Sequence, residues 1–170
     1  MKKFLRISLL IALLAALIPG AAAAAPVAAA TSPGAQAALM KPLTLQKTAD
    51  MNFGDLTVTT GGTATINPTT GLLSIAGGLL AVGGNPSPGR FTGVASRLAL
   101  ILIRTPTSVL LKRSGGAETL TLDSFTLDGF FIRLVGATPY VFAVGGQLHV
   151  PSGTVDGTYV GQVDVTVEYF

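Results

Sequence analysis

The chain has 170 residues with no cysteine, no tryptophan, a single histidine and only eight acidic residues. That inventory excludes disulfide stapling, the usual His/Cys zinc sites and any Ser-His-Asp machinery that does not use His149. The formal charge of +3 belongs to the start of the chain: without Lys2, Lys3 and Arg6, eight basic residues face eight acidic ones. The remainder lacks the basic excess with which a nucleic-acid binder neutralises phosphate.

Those three basic residues precede an apolar run over residues 7–18, which Pro19-Gly20 breaks before a stretch of alanines. A positive start, a short apolar run and small residues at alternate positions make a secretory signal peptide, and the run is too short to span a membrane. Ala22 and Ala24 suit the −3 and −1 positions, which makes residues 1–24 the removed segment and Ala25 the mature start. Cleavage after Ala30 is the competing site. No transmembrane span is expected once the signal is removed. Residues 25–41, rich in Ala, Ser, Thr and Pro, read as a flexible leader, and residues 42–170 read as one domain.

From Pro42 short apolar runs alternate with turn signals. Leu43 and Leu45, Met51 and Phe53, then Leu56 and Val58 mark the first strands, with a turn expected at Gly61-Gly62. A short strand at 64–66 stops at Asn67-Pro68. Runs at 72–75 and 79–82 are separated by Gly77-Gly78 and closed by Gly83-Gly84. The NPSPG stretch at 85–89 is the longest loop signal, and a strand follows at 91–94. Residues 98–103 are unbroken apolar, which suits a strand buried on both faces or one whose outer face meets a partner. Runs at 109–111, 120–122, 125–127, 130–135, 140–144 and 147–150 continue the pattern up to the turn Pro151-Ser152-Gly153. Many short strands punctuated by Gly and Pro predict an all-β protein, an Ig-like antiparallel β-sandwich.

The clearest periodicity lies in residues 157–170, GTYVGQVDVTVEYF. Tyr159, Gly161, Val163, Val165, Val167 and Tyr169 alternate with Gln162, Asp164, Thr166 and Glu168. Period-2 alternation is what a half-buried strand requires, so one terminal strand is expected, with the valines facing the core.

Catalytic chemistry is sparse. His149, in GQLHVPSG, reads as an ordinary strand-face residue. Asp50, Asp55, Asp123, Asp128 and Asp156 have no EF-hand spacing and are expected to bond backbone at turns. Glu118 and Glu168 are too isolated in sequence for an acid–base pair, and the glycines form no phosphate loop. No catalytic residue, metal ligand or cofactor site is predicted, and the chain is expected not to be an enzyme.

Residues 144–169, VGGQLHVPSGTVDGTYVGQVDVTVEY, resemble the exported bacterial proteins of the domain of unknown function 4402 family. Those proteins similarly carry VGG-x-L-x-V, a turn, G-T-Y-x-G and an alternating Val/Thr strand ending in an aromatic. LTLQKTADMNFGDL at 43–56 is similar to that family's start. The resemblance implies an exported β-sandwich and carries over no activity and no catalytic residues.

The last strand also resembles those of chaperone-usher pilins and spore coat protein U type domains, with Tyr169 penultimate and Gly157 fourteenth from the end. That resemblance implies a strand-pairing interface at Gly157, Tyr159, Gly161, Val163, Val165, Val167 and Tyr169. The partner would be another copy of the chain or a periplasmic chaperone, through strand addition. Two features depart from the pilin pattern: the absent disulfide, and a leader that offers only Val27, Leu39 and Met40 where a donor strand has alternating bulky residues.

These readings converge on an exported, pilin-like structural protein of the periplasm, cell surface or extracellular space, without catalytic activity. The alternatives are an extracellular glycan- or protein-binding module using Phe130, Phe131, Tyr140, Tyr159 and the NPSPG loop, and a carboxylate-dependent envelope hydrolase.

Overall fold

The alternating runs pair into antiparallel strands in a computed structural model that describes residues 34, 36–136 and 139–170. The expected signal peptide, both expected cleavage sites and most of the expected leader lie outside the described residues. Of the two units into which contacts divide the chain, Ala38–Phe170 carries every described strand. In chain order these are β1 Gln46–Ala49, β2 Asp55–Ile66, β3 Leu73–Gly83, β4 Gly89–Gly93, β5 Leu100–Arg104 and β6 Ser108–Arg113. They continue with β7 Thr119–Leu127, β8 Ile132–Leu134, β9 Tyr140–Val150, β10 Tyr159–Val160 and β11 Thr166–Tyr169.

The spine is β9. Along one edge it pairs first with β4, from Gly93↔Tyr140 to Gly89↔Val144, and then with β2, from Ile66↔Gly146 to Gly62↔Val150. Its other edge is taken by β7, and the sheet continues through β6 to β10. Beyond β4 lies β1, and beyond β2 lies β3. A separate three-stranded sheet has the order β11–β5–β8.

Several glycine pairs that read as turns are bends inside continuous strands. The exchange of partners along β9 happens at Gly145-Gly146, where a Cβ on Gly145 would sit 2.1 Å from the Ile66 carbonyl oxygen. Glycine is there because two backbones meet, so the expected runs 140–144 and 147–150 form one strand. Likewise β2 and β3 run through Gly61-Gly62 and Gly77-Gly78, with a register shift between Val58 and Gly61. The bend folds the hairpin: Ala64 and Ile66 on one side of it, and Leu56, Val58 and Leu79 on the other, all serve one core. In β7, the register shift between Asp123 and Thr126, with Ser124 at φ 50°, is a bulge within one strand.

Two apolar cores result. One holds Phe53, Ile66, Leu79, Leu111, Leu120, Leu122, Leu148 and Val150; the other holds Ile101, Ile103, Leu127, Val135, Tyr140, Phe142 and Val144. The second lies between the larger sheet and β11–β5–β8. The apolar run at 98–103 is buried on one face only, since Ile101 and Ile103 are 1% exposed and Leu100 is 43% exposed.

Candidate functional site

Residues 157–170 do not form the single strand that their alternation predicts. Tyr159 and Val160 pair with Arg113 and Lys112 at the edge of the larger sheet, and Thr166–Tyr169 pair with Arg104–Ile101 in the smaller one. Residues 161–165 have no ladder partner among the described residues. The physical reason is geometric: β6 and β5 lie in different sheets, so a segment that joins both must leave one ladder before entering the other. The alternation survives the crossing. Val163, Val165, Val167 and Tyr169 are half-buried, and Gln162, Asp164, Thr166 and Glu168 are exposed. Val163 packs on the first core, whereas Val165, Val167 and Tyr169 pack on the second. The segment is a bridge between cores.

The seven residues nominated for strand pairing are therefore divided. Val167 and Tyr169 are held in β11, and Tyr159 is held in β10. Gly157 takes φ 148°, a conformation open to glycine, and a Cβ there would meet the Arg113 Cδ at 2.9 Å. Gly161, Val163 and Val165 fall in the unpaired stretch.

Beside that stretch runs a groove of about 1300 Å³. Its lining includes residues 154–166, residues 49–56 with Val58, and the buried first-core residues Leu111, Leu120, Leu122, Leu148 and Val150. Asp50, Asp55, Asp156 and Asp164 are exposed along it, and the one lysine among its lining residues, Lys47, is bound to Asp50. The groove combines a base of buried core side chains, an acidic margin and a length of backbone without a sheet partner among the described residues.

The tip beside β10 is fixed by a charge pair. Arg113 Nε donates to Glu118 Oε2 at 2.7 Å, and the Ser114 N–H donates to the Thr158 carbonyl at 2.8 Å. The guanidinium bond, helped by the backbone N–H groups of Glu118 and Ala117, holds the Glu118 carboxyl down at about 2. The same bond raises Arg113.

On the larger sheet's outer face, His149 Nε2 lies 3.0 Å from Asp123 Oδ1, and that bond is the main reason the Asp123 carboxyl titrates below its ordinary range. Nothing in residue order joins the two. Only the β7–β9 register, with Thr121 opposite His149 and Asp123 opposite Gln147, makes them diagonal neighbours. Asp128 also departs from the expected turn role. It accepts from the Ala143 N–H at 3.0 Å and from Arg133 at 2.9 Å, joining separate segments. The own-backbone role belongs instead to Asn52 and Asn67, which accept from Gly54, and from Thr69 and Thr70.

Of the four aromatics considered for ligand binding, Tyr140 is buried and donates to the Thr44 carbonyl, and Tyr159 is half-buried and donates to Val155. Phe130 and Phe131 are exposed. Among the described residues no three His, Asp or Glu side chains gather closely enough to share a metal ion, and no helix is long and apolar enough to cross a membrane.

The profile described as Domain of unknown function (DUF4402) matches residues 43–169. No curated protein and no solved structure matches the chain.

Proposed function

The chain belongs to the DUF4402 family, and from that membership and the groove beside residues 161–165 we propose that it is an exported, non-catalytic, pilin-like subunit of a bacterial surface or envelope that takes up an extended segment of a neighbouring polypeptide. The observation that carries this reading is the unpaired stretch itself. A peptide laid along it would gain backbone bonds from an edge and set alternate side chains beside the half-buried Val163 and Val165, the two ingredients of strand addition. The acidic margin favours a segment with lysine or arginine flanking its apolar residues. Tyr169 is engaged inside β11, so the docking element is residues 161–165 and not the whole terminal stretch.

Export is tested by mass spectrometry of the envelope fraction of a native producer, which should find a mature chain beginning at Ala25, or after Ala30. An intact form beginning at Met1 and confined to the cytoplasm overturns it. Strand addition is tested by amide exchange, comparing the purified monomer with the assembly extracted from the envelope. Protection of residues 161–165 should appear only in the assembly, and equal exchange in both states rejects the groove as the docking element.

A further inference from the structure

The outer face of the larger sheet carries polar side chains in cross-strand rows, and none of them lines the groove. One row sets Thr65, Gln147 and Asp123 side by side on β2, β9 and β7. The next row sets Thr63, His149 and Thr121 on the same three strands. Residues two apart on a strand share a face, so the six stand together.

In the first row Gln147 Nε2 donates to Thr65 Oγ1 at 3.1 Å, joining residues 82 apart in sequence. A hydroxyl that accepts in this way keeps its own proton. The amide carbon is one bond from that nitrogen, and the last side-chain torsion of glutamine is broad. A turn about it sets Thr65 Oγ1 against Gln147 Cδ, a nucleophile against an acyl carbon. Both residues are half-buried, and the ladder from Gly62↔Val150 to Ile66↔Gly146 fixes their strands. Groups held in near-attack geometry react as if present at up to about 10⁵–10⁸ M.

The titratable groups of the two rows stand beside the same amide. Asp123 is directly opposite Gln147, and its Oδ1 lies 3.0 Å from Nε2 of His149. His149 is the diagonal neighbour of both Asp123 and Thr65. The flanking strands bring no charge to these rows: β3 contributes Ser74 and Ala76, and β6 contributes Ser108 and Leu110. Lys112, opposite Thr119, belongs to the row beyond. Proton traffic at the amide therefore falls to His149 and Asp123.

We propose that Thr65 and Gln147 join in an ester, which the folded chain closes by itself with loss of ammonia. Oγ1 adds to Cδ, its lone pair forming the C–O bond as the carbonyl π pair moves to Oε1. Collapse of that tetrahedral centre breaks Cδ–Nε2, and the proton that Oγ1 gives up leaves on the nitrogen in ammonia. His149, held by Asp123, relays that proton. Nothing is oxidised or reduced, and escape of ammonia into water drives the exchange forward. The bond ties the β2–β3 hairpin to β9 in a chain that has no cysteine for a disulfide.

The test is the mass of the full chain, isolated unfolded in guanidinium and then folded by dilution. The folded chain should become lighter by one ammonia. Trypsin should then release residues 48–90 and 134–170 as one linked species, since neither stretch has an internal lysine or arginine. Hydroxylamine, which cleaves esters, should separate them. Thr65→Ser should still link, whereas Thr65→Val and Gln147→Glu should lose no ammonia. Circular dichroism of each variant shows that it has folded, so that a full mass reports lost chemistry. His149→Ala should link about a hundredfold more slowly or worse, and its pH–rate profile should lose the limb that the relay supplies. A folded wild-type chain that keeps its full mass and yields the two peptides separately overturns the proposal, leaving the contact a hydrogen bond. So does a loss of ammonia that persists in Thr65→Val. A rate and profile unchanged in His149→Ala overturn the relay.

Discussion

The phenolic hydroxyl of Tyr169 donates to the Lys41 carbonyl at 2.7 Å while accepting from the Ser96 N–H at 2.8 Å. One side chain thus ties β11 to the segment entering the domain and to the loop before β5. Lys41 closes the triangle, since its N–H donates to Ser96 Oγ. The aromatic that resembles a partner-recognition residue in sequence is a clasp within the molecule. Removing only the hydroxyl, in Tyr169→Phe, leaves the half-buried Ser96 N–H and the Lys41 carbonyl without their partner. The expected loss is about 1–3 kcal/mol, seen in calorimetry as a lower melting temperature and in amide exchange as faster opening at Ser96. An unchanged melt would mean that water replaces the hydroxyl at no cost.

A second prediction follows from the Arg113–Glu118 pair. The folded-state carboxyl of Glu118 titrates at about 2, below the ordinary 4.5. A depressed carboxyl contributes stability that is fully present above the unfolded value and is lost as pH falls through the folded one. The pair therefore stabilises the β6–β7 tip at neutral pH and releases it between about 4.5 and about 2. Carboxyl NMR should place the Glu118 midpoint near the bottom of that window. Arg113→Ala should return it towards the ordinary value, and Glu118→Gln should flatten the acid limb of the stability curve.

The glycines offer a test that separates crowding from backbone conformation. Gly145→Ala drives a Cβ into the Ile66 carbonyl at the point where β9 changes partners. Because the obstacle is backbone, the cost should be about 1–3 kcal/mol or more. Gly115, at φ 77° in the β6–β7 turn, has open space where its Cβ would be. Gly115→Ala should lose only the conformational part, about 1–2 kcal/mol. Denaturant melts should rank Gly145→Ala as the more damaging; the reverse order would mean that β2 and β9 separate easily.

The contrast between these two glycines shows what the sequence could disclose. Alternation is local, so the strands, the all-β class and the inward side of Val163, Val165 and Val167 were legible from residue order. A Gly-Gly pair, however, signals permissive backbone without saying whether that freedom serves a turn or a close approach. Gly115-Gly116 is a turn, while Gly61-Gly62, Gly77-Gly78 and Gly145-Gly146 lie inside strands, and only the partner strand distinguishes them. The groove was hidden for a related reason. Nothing in GTYVGQVDVTVEYF marks where the ladder with β6 stops and the ladder with β5 begins, because that depends on two sheets built from residues far away in sequence. The Asp123–His149 pair was equally invisible, being set by cross-strand register.

The bridge between the cores can be tested one residue at a time. Val165 is half-buried against the second core, and Thr166, its neighbour, is exposed opposite Arg104. Val165→Asp places a carboxylate against Val167, Tyr169 and the apolar layer beneath. Full burial of a valine is worth about 1.5 kcal/mol or more, and an unpaired charge adds to the loss. Partial exposure limits the total to about 2–4 kcal/mol, a large part of a typical domain's 5–15 kcal/mol. Thr166→Asp points the same group towards water and an arginine, so stability should change by less than about 1 kcal/mol. Thermal melts of the two variants decide the register. A larger loss in Thr166→Asp would put the even residues inward, and an equal loss in both would mean that both sides of the bridge are covered. The expected order, Val165→Asp far below Thr166→Asp, leaves the outer side of the bridge wet.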